Sequence, residues 1–206
     1  MGLPPEDREL MYLPHRIGFI EYPPGNPDSL ERAGMDHQRA QHWLETATAD
    51  LTKSTGHMED AWSSGDYRDL ALDYARGATN EAELLALGQR LAAHACFKYA
   101  RACAVIRAGI DMLRSQASSY DGALAALESR CPDRLITPEV SEEAAVLREQ
   151  HDRIRRAVGV AWELARDAAT GASQDFLTAS VYNTVDLKTI AANSEDHPER
   201  IPGLVF

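Results

Sequence analysis

The chain has 206 residues, 32 acidic against 21 basic side chains, a net charge of −11 and 44% hydrophobic residues. That charge repels phosphate backbones and anionic lipid, which excludes nucleic acid as a partner. No apolar run approaches the ~20 residues of a bilayer-spanning helix, so membrane insertion is excluded, and the length suits one generous domain with a sizeable core.

Residues 1–27 read as a Pro-rich N-terminal arm. Pro4, Pro5, Pro14, Pro23, Pro24 and Pro27 rule out regular helix, although Ile17, Gly18, Phe19 and Ile20 can lie extended against a core. No basic stretch precedes an apolar one, so a cleavable general secretory signal is not expected. The arm ends in Asn26-Pro27-Asp28, an N-capping residue, a proline suited to the first helical position and an acid that favours the helix dipole.

From that cap Leu30, Ala33, His37, Ala40, Leu44, Ala47, Leu51, Ser54, Met58 and Ala61 alternate steps of three and four, which predicts a helix over about 28–61. Ser63, Ser64, Gly65 and Asp66 then break it as a tight hairpin turn. A second stripe takes Leu70 and Tyr74, blurs around Gly77 to Asn80, and resumes as Leu84, Leu87, Leu91, Ala95, Tyr99, Ala102, Ile106, Gly109, Leu113, Ala117, Tyr120, Leu124 and Leu127. The spacing predicts one very long helix over about 66–129, kinked near Gly77.

Cys131-Pro132-Asp133 and Thr137-Pro138 interrupt the pattern, and Ser141 followed by acids starts a third helix over about 140–171. Its stripe is Val140, Ala144, Leu147, His151, Ile154, Val158, Ala161, Ala165 and Ala168. Residues 172–206 read as a C-terminal tail with room for one short helix. The fold class is therefore all-α: an elongated antiparallel helical hairpin with a third long helix packed on it, a three- to four-helix bundle over 28–171.

The sequence carries no recognisable catalytic, cofactor-binding or metal-ligating constellation. Glu-x-x-His, Cys-x-x-Cys, phosphate-binding and nucleophile-elbow patterns are all lacking. His37 and His42 are five apart and fall on different helix faces, while His37, His94 and His151 read as packed seam histidines. Cys96 and Cys103 sit seven apart on one helix face, ~10 Å along the axis and too far for a disulfide, and with Cys131 they read as small packing residues. Of the three tryptophans, Trp43 and Trp162 lie within helices, whereas Trp62 lies at the turn, where it folds back or stays open to another chain.

The long Ala-rich helix, Ala61-Trp62-Ser63-Ser64-Gly65 at the turn and the longer Ala-rich helix after it resemble the WXG-type helical hairpins of type VII (ESX-like) secretion substrates. Pro24-Gly25-Asn26-Pro27-Asp28-Ser29-Leu30 is similar to the opening of actinobacterial effectors carried by that system. Trp62 and Gly65, with two residues between them, would form the turn motif. Tyr182-Asn183-Thr184-Val185-Asp186 matches the Tyr-x-x-x-Asp/Glu export signal of such substrates, which assigns that role to Tyr182 and Asp186. The resemblance implies a secreted, non-catalytic protein that works as a homodimer or helical heterodimer and engages secretion machinery, without a cofactor. Apolar stripes and an acidic surface suit a cytoplasmic helical adaptor, chaperone or immunity-like protein equally well. The apolar end Leu204-Val205-Phe206, after a polar stretch, reads as a tail that docks into a partner groove.

Overall fold

The computed structural model describes residues 11–62 and 64–183. Three long α-helices account for most of them: α1 (Pro27–Ala61), α2 (Asp66–Glu128) and α3 (Ser141–Asn183). Short 3-10 turns at Pro132–Arg134 and Pro138–Val140 join α2 to α3. Proline placement explains the limits. None occurs between Pro27 and Pro132, and none between Pro138 and Pro198, so nothing removes a helical donor inside any of the three. The all-α architecture of a hairpin and a third helix is thus the observed one.

Two features differ from the sequence reading. α2 continues unbroken through Gly77 to Asn80, where the stripe is weakest, and α3 continues through Gly171 to Asn183 where it was expected to end. Gly171 costs a helix interior only ~1 kcal/mol, and buried Ala172 and Ala179 carry the inward face onward. The chain divides into two compact units.

The first unit takes the arm, residues 100–170 and their connections. Its core is apolar and well filled: Leu13 and Ile20 from the arm, Ile110, Ala117, Tyr120, Leu124 and Leu127 from α2, Cys131, and Val140, Ala144, Leu147 and Ile154 from the α3 side. In α2 these residues step by three and four through Ile106, Ile110, Leu113, Ala117, Tyr120, Leu124 and Leu127, the seam of a coiled coil. α3 runs antiparallel to that stretch, with the Tyr120 and His151 rings 5.8 Å apart and Arg130 paired with Glu143. Between them Asp133 and Arg134 adopt positive φ of 57° and 62°. Arg134 is held there by the hydrogen bond its amide donates to the Cys131 carbonyl and by its guanidinium on Glu128.

The second unit takes residues 28–99 and 171–183. α1 runs antiparallel to the first half of α2: Gly34 faces Phe97, His37 Nδ1 lies 2.7 Å from Gln89 Oε1, and Glu59 meets Arg76 at 2.7 Å. The inward positions of α1 alternate Leu30, Gly34, His37, Gln41, Leu44, Thr48, Leu51, Thr55 and Met58. Ala47, Ser54 and Ala61 of the expected stripe are exposed instead, with Thr48 and Thr55 taking the inward places. The threonines are tolerated because each hydroxyl donates to a carbonyl one turn back, Leu44 at 2.9 Å and Leu51 at 2.8 Å. Tyr74 and Leu84 are likewise 44% and 45% exposed, while Leu72, Ala82 and Ala86 are buried.

Candidate functional site

The hairpin turn is built from the helix ends on either side. The Trp62 amide donates to Met58 O at 3.1 Å, closing α1, and Arg68 Nε donates to Trp62 O at 2.6 Å. Gly65 has φ of 130°, a conformation that side chains rarely adopt, and its carbonyl accepts from the amides of Arg68 and Asp69 to open α2. Trp62 remains 48% exposed at this end, and Tyr67 just beyond it is 73% exposed. The turn residues singled out in the sequence are therefore brought together. Tyr182 falls in the last turn of α3 and is half-buried, whereas Asp186 and Leu204, Val205 and Phe206 lie outside the described residues.

Trp43, in the middle of α1, is 76% exposed, and Trp162 of α3 is 38% exposed. Phe19 of the arm is 78% exposed, and with Ile17, Ile20, Val158, Gly159 and Trp162 it borders an open cleft of about 380 Å³ in the first unit. A second cleft of about 290 Å³, between α1 and α2, carries Glu45, Glu83 and Arg90.

Among the described residues the most elaborate site is the seat of the arm, only the outline of which is legible in the sequence. Arg107, Arg114, Asp121 and Glu128 follow one another at seven-residue intervals along one edge of α2, beside the apolar seam. Seven residues turn an α-helix to within ~20° of two full turns, so the four side chains form a ladder. Arg107 Nη2 donates to Gly25 O at 2.8 Å, and Arg114 Nε donates to Ile20 O at 2.8 Å. Asp121 accepts from the amides of Ile17 and Gly18 at 3.0 and 3.4 Å, and Glu128 pairs with Arg16 at 2.9 Å. The arm therefore runs antiparallel to α2.

Other residues complete the seat. Tyr120, with no exposed surface, donates to His15 O at 2.8 Å, and Arg148 of α3 donates to Tyr12 O at 2.7 Å. The Leu13 amide donates to Arg134 O, and the Ile136 amide to Met11 O, at 3.0 and 2.9 Å. The Arg114 guanidinium lies 3.7 Å from the centre of the Tyr22 ring and 4.5 Å from that of Phe19, within cation–π reach of both. The Tyr22 hydroxyl bonds Asp111, whose carboxylate pushes the phenol above its ordinary pKa. Burial, helped by the Asp121 charge, pushes Tyr120 up to about 12. Most of these bonds go to main-chain groups of the arm, so an extended backbone is what the ladder reads.

His37 and His151 are inward-facing, bonded to Gln89 and Asp152, and His94 is exposed where a packed position was expected. Cys96, Cys103 and Cys131 are buried and free, and burial pushes the Cys96 thiol up. Among the described residues no group of three His, Cys, Asp or Glu side chains could hold a metal ion, and no helix is long and apolar enough to cross a membrane. Comparison with family models, curated proteins and solved structures finds no match for this chain.

Proposed function

We propose that this protein works by protein–protein recognition without turnover, as a type VII-like secretion substrate or the delivery module of one. The observation that carries the reading is the turn: an antiparallel hairpin whose end presents Trp62 half-exposed beside a glycine that backbone geometry requires. Trp43 supports it, since a tryptophan 76% exposed on a helix leaves a large apolar face for another chain to cover. The partner is a helical hairpin, of the same chain or another, and Tyr182 with Asp186 serves as the export signal.

The test is export of the intact chain by its native host, with Tyr182→Ala/Asp186→Ala and Trp62→Ala/Gly65→Ala as variants. The wild type appears in the culture filtrate; both variants accumulate inside the cell with unchanged helix content by circular dichroism. A wild-type chain found only in the cytoplasm, in a stable complex with a cytoplasmic protein, would sink the export reading and leave the adaptor.

A further inference from the structure

Opposite its inward series, α1 turns a row of six residues to solvent: Asp36, Arg39, Trp43, Thr46, Asp50 and Lys53. They follow one another by steps of three and four, so they share one helix face, and all six are exposed. Trp43 stands at the middle of the row, 76% exposed. Arg39 meets Asp36 at 2.8 Å, and the Thr46 hydroxyl donates to His42 O at 2.9 Å, both bonds within α1 itself. The row is therefore open along its length.

The order of charges in this row is its own complement when reversed. From the N-terminal end it reads acid, base, tryptophan, threonine, acid, base. A second α1 laid antiparallel, with the two-fold axis at the level of Leu44 and Glu45, sets Asp36 against the partner's Lys53 and Arg39 against the partner's Asp50. Symmetry repeats both pairs on the other side of the axis. The two Trp43 rings then stand ~4.5 Å apart along the helices, close enough to cover one another. A parallel pair in register would instead oppose like charges throughout.

We infer that this face of α1 is the docking surface for a second copy of this chain, which pairs with it antiparallel around the two Trp43 rings. The occupant is a second copy because the charge order answers itself. With a net charge of −11 two copies repel over most of their surfaces, whereas this row carries two acids and two bases, each set against its opposite. The inference rests on the recognition reading above and names its partner; it needs nothing of the export signal. One helix pair over ~26 Å covers less than the ~800 Å² per partner of a standard interface, so the dimer forms at high concentration and dissociates on dilution.

Arg39→Asp and Asp50→Arg, each made in the full-length chain, set like charges against each other at both symmetric positions. Each alone is expected to be monomeric by light scattering at a concentration where the wild type shows twice the chain mass, and so is Trp43→Ala. An equimolar mixture of the two charge variants restores both opposite-charge pairs and forms a one-to-one dimer, and a chain carrying both substitutions dimerises like the wild type. A wild type that is monomeric up to about 1 mM overturns the proposal. So does a dimer that survives either single charge substitution, or a mixture that stays monomeric. Circular dichroism checks that the helix content is unchanged; where a single charge variant loses it, the doubly substituted chain decides by returning or failing to return to the dimer. A chain that is exported but monomeric overturns this inference alone, and one that is dimeric but never exported sinks the export reading alone.

Discussion

Tyr120→Phe probes the first unit through one atom. The ring stays in a site with no exposed surface, and only the hydroxyl that donates to His15 O is removed. At neutral pH the loss is that of one buried hydrogen bond, about 1 kcal/mol of unfolding free energy. At alkaline pH the sign changes. The phenol's pKa rises from 10.0 in the unfolded chain to about 12 in the folded one, so between these values the unfolded state binds fewer protons and wild-type stability falls. The loss is ~1.4 kcal/mol by pH 11 and up to ~2.7 kcal/mol beyond pH 12, at ~1.36 kcal/mol per unit. The variant has no such loss. Urea denaturation followed by circular dichroism should therefore find Tyr120→Phe less stable than wild type at pH 7, level with it near pH 11, and more stable above. Burial also raises the Cys96 thiol, but that contribution is common to both chains and cancels. A stability difference that is the same at pH 7 and pH 11.5 would refute the reasoning.

Two glycines of α1 should respond oppositely to alanine. At Gly34 a Cβ would lie 2.7 Å from the Phe97 ring, so Gly34→Ala lowers stability by about 1–3 kcal/mol despite better helix propensity. At Gly56 the space is open, so Gly56→Ala raises it by about 0.5–1 kcal/mol; thermal melts check both. Thr55→Val removes a hydroxyl bonded only within its own helix, at Leu51 O, and should leave the melting temperature within about 2 °C or raise it. Asp121→Ala strips the acceptor of two arm amides and should cost about 1–2 kcal/mol, with faster proteolysis in the arm as the sharper readout. Hydrogen exchange should be faster in α1, where only Gly34 and Thr55 of 35 residues are buried, than over residues 106–127 of α2; equal protection would contradict this.

What could be read in the sequence depended on whether inward positions were apolar. In α3 every stripe residue from Val140 to Ala168 is buried or half-buried, because each inward place carries an apolar group or a seam histidine. In α1 the inward places alternate with Gly34, Gln41, Thr48 and Thr55, so the apolar spacing points instead to Ala47, Ser54 and Ala61. A threonine that bonds its own helix leaves no signal in hydropathy. The arm's proline content announced an extended segment, and Ile20 was placed against a core. The ladder that holds it is not legible in the same way, although Arg107, Arg114, Asp121 and Glu128 repeat every seven residues beside the seam. Charged residues at that spacing usually face water, and what distinguishes these is a main chain seated opposite them.

The two units are unequal in what they bury, and the difference bears on function. Tyr120, Ile110, Leu124, Leu127 and Ile154, five of the largest fully buried side chains, all belong to the first unit. The second buries Leu72, Cys96 and a set of alanines. Full burial of a large aliphatic side chain contributes ~1.5–3 kcal/mol and that of a methyl group less than 1, so α1 is held by little apolar surface of its own. Yet α1 carries Trp43 and Met35, 76% and 47% exposed, and ends beside Trp62. A helix this sparingly buried within its own chain gains most from a second chain that covers its outer face, and the first unit, closed by its arm, has less need of one. On the recognition reading proposed above, the surface that meets the partner is α1 and the turn that follows it.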